Sequence, residues 1–158
     1  DGNLPAAERR VKDAETIEIN PLQQTGGGGA MLSQLVAFAK ALISVGHGNY
    51  DEAKTYCRFI LQMAYGMGGV GPTKIFLPIA PVIYANTGKF EQAAELLGVI
   101  STFDALDMTW LDYWSAYQAA QELLRQNLDE STFKAAFERG QSMPKLAAAK
   151  QVLDELSA

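Results

Sequence analysis

The chain has 158 residues, 48% of them hydrophobic and 20% charged, with a net charge of −5 and a pI near 4.8. That length and apolar content suit one domain over 1–158 with a proper core, and they exclude disorder throughout. The acidic balance argues against a broad nucleic-acid surface, which needs clustered Lys and Arg.

Apolar residues recur every three or four positions, which predicts amphipathic α-helices. Leu4, Ala7, Val11, Ala14 and Ile17 form the stripe of a first helix over 4–18. A glycine-rich connection, Thr25 to Gly29, leads to a second over 29–46. Gly46 and Gly48 stand where a helix end needs positive φ. The third, 50–65, carries the stripe Tyr50, Ala53, Cys57, Ile60 and Ala64, and Asn49 with Glu52 forms an Asn version of the capping box.

A second connection, Gly66 to Gly71, precedes a fourth helix over 73–87. Pro78 and Pro81 each remove a backbone donor there, which predicts a kink or a late start. The apolar stretch around them, Ile75 to Ala85, is too short to span a bilayer. Gly88 punctuates before the fifth helix, 90–103, with Phe90, Ala93, Leu97 and Ile100 on one face. Helices over 109–126, opened weakly by Thr109 with Asp112, over 130–140, capped by Asp129, and over 144–157 complete an all-α set of eight. The last carries the stripe Leu146, Ala149, Leu153 and Leu156. No stretch shows sustained strand alternation.

The chain also repeats itself. Gly48-Asn49-Tyr50-Asp51-Glu52-Ala53 matches Gly88-Lys89-Phe90-Glu91-Gln92-Ala93, 40 residues on. Gly2 to Ala7 is a fainter copy, and Leu128-Asp129-Glu130 leading to Phe133 and Ala136 is a fourth. In each, a large side chain precedes an Ala by three residues. The large residue fills a hairpin corner, and the Ala lets the second helix approach the first.

This pattern resembles the Gly-x-[Tyr/Phe]-x-x-Ala turn of a tetratricopeptide repeat. Tyr84 and Ala41 agree with that family's preferences, Pro81 departs from them, and the period exceeds the usual length of about 34 residues. The resemblance implies a right-handed α-α superhelix of helical hairpins. Two segments are similar to the helical arm of large bacterial signal-transduction ATPases with LuxR-type or other output domains: Phe90-Glu91-Gln92-Ala93-Ala94-Glu95-Leu96-Leu97-Gly98, and Phe133 to Met143 followed by a last helix. They imply the C-terminal part of a multidomain regulator, with 141–158 as a capping helix.

The first helix reads as half of a hairpin whose partner is missing, so its stripe predicts dimerisation through that end. The polar first residues show no signal peptide, and the start at Asp1 fits a processed or excised piece. Cys57 alone cannot make an internal disulfide, which fits a small buried residue in a reducing, cytoplasmic setting.

Several motifs imitate chemistry without completing it. Gly66 to Thr73 has the glycines and Thr of a phosphate loop, but Pro72 stands where the Lys belongs and a helix precedes it. His47 is the single histidine and has no metal-ligand spacing around it. Asp51, Glu52, Glu91, Asp129 and Glu130 suit the first turns of helices, where the dipole favours negative charge.

No catalytic residue, metal site or cofactor is expected. Two surfaces suit a partner instead. By the repeat register Leu35, Phe38, Leu42, Ile75, Pro78 and Val82 face the concave side, as a groove for a helix, an extended peptide or a small apolar ligand. Trp110, Trp114 and Tyr117 share a predicted face and serve either the core or a partner. The expected role is a non-catalytic interaction or regulatory arm that binds a protein, a peptide or the parent chain's other domains. A sensor for a small inducer, and a nucleotide-binding enzyme acting through Gly66 to Thr73, are the alternatives.

Overall fold

The repeat is written into the backbone at two turns. Gly48 and Gly88 take φ of 75° and 80°, a region that costs a side chain energy and glycine little. The next N–H reaches back over each helix end: Asn49 donates to the Ser44 carbonyl at 2.8 Å, and Lys89 to the Tyr84 carbonyl at 2.9 Å. Positions 40 residues apart in the sequence thus close the same turn.

The computed structural model describes residues 3–16, 28–66 and 70–157. They form α1 (Leu4–Thr16), α2 (Gly28–Gly46), α3 (Tyr50–Gly66), α4 (Val70–Phe76), α5 (Ile79–Asn86), α6 (Phe90–Ile100), α7 (Ala105–Met108), a 3₁₀ turn (Thr109–Tyr113), α8 (Ser115–Asn127), α9 (Glu130–Ser142) and α10 (Lys145–Glu155). The fold is all-helical, and counting each broken helix once restores the eight expected. No described helix is long and apolar enough to cross a membrane.

The differences from expectation have local causes. The fourth helix breaks at Leu77–Pro78, and Pro81 falls in the first turn of α5, where its missing N–H would have had no helical partner. The helix expected from 109 is preceded by α7 and a 3₁₀ turn, with Trp114 extended (φ −94°, ψ 97°) before α8. Asp104 caps α7, accepting from the Leu106 N–H at 3.0 Å. Of the two glycine-rich connections, residues 28–29, 66 and 70–71 are helical instead, and Thr25 to Gly27 and Met67 to Gly69 lie outside the described residues.

The capping box at Asn49 is not closed. Glu52 accepts instead from the buried Ser44 hydroxyl at 2.9 Å. Asp129 does cap α9, accepting from the Thr132 N–H at 2.9 Å. Gly46 is not a left-handed terminus: it makes room for Leu4, whose side chain stands 2.8 Å from where a Cβ would lie.

That contact gives the first helix a neighbour within the chain. α1 packs along α2. Glu8 meets His47 at 2.8 Å, and Glu15 pairs with Lys40. The stripe through Leu4, Ala7, Val11 and Ala14 is half-buried; Ile17 lies outside the described residues.

The helices lie in two rows. First helices α2, α5 and α8 pack side by side, and second helices α1, α3, α6 and α9 return beside them. The core runs between the rows through Cys57, Ile60, Leu61, Leu77, Val82, Ile83 and Val99, all fully buried. Among the second helices, α6 and α9 are tightly apposed. α10 folds back onto α3, α4 and α6. Its Lys145 ammonium lies 5.1 Å from the Phe103 ring centre and its Glu155 3.4 Å from Lys89, so it runs antiparallel to α6.

Candidate interaction surface

Aromatic rings link the first and last hairpins. Phe38 on α2 meets Phe76 edge-on at 5.2 Å between ring centres, and Trp110 edge-on at 6.1 Å. Trp110 stacks on Trp114 at 5.6 Å, and Trp114 on Tyr117 at 6.2 Å. Such pairs add about 0.5–1.5 kcal/mol each beyond burial. The ladder crosses from α2 to the 3₁₀ turn and α8, which sequence spacing alone does not reveal.

The seven expected partner-binding residues divide on this frame. Leu35 and Ile75 are 48% and 44% exposed, and they occupy equivalent positions of the repeat. Phe38, Leu42, Trp110 and Trp114 are half-buried and packed against the core. Val82 and its neighbour Pro78 are buried, so they leave the accessible face. α5, which carries Val82, is covered by α2 and α8. Sequence reading missed Met31 (63% exposed), and Leu106 and Tyr113 (each 82%). Met31 lies one helical turn before Leu35, a spacing that could have found it.

Burial pushes the Cys57 thiol up to about 12, which leaves it protonated and unreactive. Burial first, then the Glu155 charge, raises the Tyr84 phenol; burial and then Asp112 raise Tyr117. The Tyr84 hydroxyl has no hydrogen-bond partner among the described residues. Hydrogen bonds from Ser131 and Thr132 hold Asp129 well below the usual carboxylate range. Arg139 on α9 clasps two carboxylates of α6, Glu95 at 3.1 Å and Glu91 at 3.6 Å.

Of the imitation phosphate loop, Gly66 and Val70 to Thr73 are described, all of them helical. Thr73, the residue that would meet a nucleotide's metal, is buried within α4. His47 sits in the turn after α2 and ties it to α1. Among the described residues no His, Cys, Asp and Glu side chains gather as metal ligands.

Several concavities flank the stack. A groove of about 540 Å³ lies on another face of α2, lined by Ala14, Leu32, Val36, Lys40, Tyr56 and Phe59 among others. A smaller hollow of about 390 Å³ lies between α6, the 3₁₀ turn, α8 and α9. No family model, curated protein or solved structure matches this chain.

Proposed function

We propose that this chain is a non-catalytic protein-interaction arm of a multidomain bacterial signalling or transcription regulator. The observation that carries the reading is the pair Leu35 and Ile75. They are large, apolar, about half exposed at 48% and 44%, and related by the repeat. Both stand on helices fixed by the core, next to Phe38 and Phe76, whose rings pack together. Exposed aliphatic side chains beside one half-buried and one buried aromatic ring form an apolar patch of the kind that marks interaction sites.

Such an arm works by differential binding. A partner that favours one arrangement of the arm shifts the activity of the domains joined to it. A photo-crosslinking residue placed at Leu35 or Ile75 in the producing cell is expected to give a discrete adduct. The same residue at Arg125, exposed on α8, is expected to give none. Equal labelling from all three sites, or turnover of a nucleoside triphosphate by the purified chain, would overturn the reading.

A further inference from the structure

The three junctions between successive second helices are equivalent in the repeat and differ in what fills them. Between α6 and α9 the backbones meet directly. A Cβ added at Gly98 would stand 2.0 Å from the Phe137 carbonyl oxygen, and one at Gly140 1.8 Å from that of Glu95. Between α3 and α6, which barely touch, lies α10. Its buried face is narrow: Ala148, Ala149 and Val152. Between α1 and α3, which also barely touch, lies a groove of about 540 Å³ that no described helix fills.

Three of four paired positions differ in burial; Ala37, 6% exposed, does not. Shifting the groove positions Val36, Ala37, Tyr56 and Phe59 by 40 gives Phe76, Leu77, Leu96 and Val99. These lie on or beside the helices that α10 packs against, and none is more than 4% exposed. In the groove between α1 and α3 Val36 and Tyr56 are only half-buried, and Phe59 is 44% exposed.

We infer that the groove between α1 and α3 receives an amphipathic helix of a partner protein, one that presents a narrow alanine-rich face as α10 does. Charge refines the occupant. Lys40 lines the groove and retains 30% exposure beside Glu15. In the filled junction Glu155 borders the alanine face and reaches Lys89 at 3.4 Å. A partner helix with a carboxylate bordering its alanine stripe reaches the exposed part of Lys40, which stays paired with Glu15. The groove lies on a different face of α2 from Leu35, so this inference stands apart from the proposed regulatory role.

The probe is a capped synthetic peptide of Met143 to Ala158, titrated into the whole chain and followed by fluorescence anisotropy. The tethered α10 keeps its own site, because the tether gives it an effective concentration on the order of millimolar. Saturable binding is expected, weakened about tenfold or more by Phe59→Asp and by Thr55→Trp. Both positions are exposed, so circular dichroism and melting should match the parent. Absence of saturable binding would overturn the inference. So would binding unchanged in both variants, which would place the peptide elsewhere. A melting temperature lowered by Phe59→Asp, with no peptide bound, would show the groove already covered by the chain itself and would overturn it too.

Discussion

Two neighbouring junctions of this stack are built by opposite means. At the α6–α9 junction the side chains withdraw: Gly98 and Gly140 leave nothing between the helices but backbone. At the α3–α6 junction the helices stand apart and α10 fills the space. The direct junction gains a short interhelical distance and tolerates no added atom. The filled junction depends on buried groups, and beside it on α5 stands the Tyr84 hydroxyl, with no hydrogen-bond partner among the described residues. One repeat thus yields two mechanical situations, one governed by sterics and the other by burial.

The direct junction should break most severely. Gly140→Ala places a methyl group 1.8 Å from a carbonyl oxygen, with only backbone to yield. A loss of about 3 kcal/mol or more is expected, read from the denaturant midpoint. A loss under about 1 kcal/mol would mean that α6 and α9 separate freely.

The filled junction should weaken under alkali. The folded chain holds the Cys57 thiol protonated up to about 12, against an ordinary value of 9.0. Below pH 9 the thiol is protonated in both states and contributes no pH dependence. Above it the unfolded thiol ionises and the folded one does not, so stability falls by about 1.4 kcal/mol per pH unit until the folded value is reached. Tyr84, also raised by burial, acts in the same direction. Denaturation midpoints measured at pH 8 and pH 10.5 should differ less in Cys57→Ala than in the parent. An unchanged slope would show that the thiol is solvated.

The smallest effect sharpens the contrast. Arg139→Gln removes the clasp on Glu91 and Glu95, which lies at the edge of the direct junction. Arg139 is 52% exposed and Glu91 59%, while Glu95 is 16% exposed, so solvent screens most of the attraction. A loss of about 0.5 kcal/mol is expected, and it should shrink in high salt. A larger, salt-independent loss would show that the guanidinium serves by packing.

The sequence carried the helices and the register because both rest on local chemistry. Gly48 and Gly88 mark turns through φ, and Ala53 and Ala93 mark close packing through size. Pro78 marked a break for the same kind of reason. The expected surface was legible only where exposure followed from the register, as at Leu35 and Ile75. Val82 occupies the same face by register, yet α5 is enclosed by α2 and α8, a consequence of how many neighbours a helix has. Nor could spacing show that Glu52 turns to Ser44, that α1 finds its partner in α2, or that the last helix returns to the third. The first depends on how α2 and α3 close across one turn, and the others on contacts between segments far apart in the chain.

The return of α10 also bears on how the molecule acquires its shape. In an array where each unit touches only its neighbours, order can start anywhere and spread, and the ends can fray independently. Here an element made late in synthesis completes the surroundings of one made early. α3 can pair with α2 as it emerges, but its outer side stays uncovered until α10 has been synthesised. The stack should therefore gain and lose its structure largely as one cooperative unit, and its slowest contacts should be those between α10 and α3.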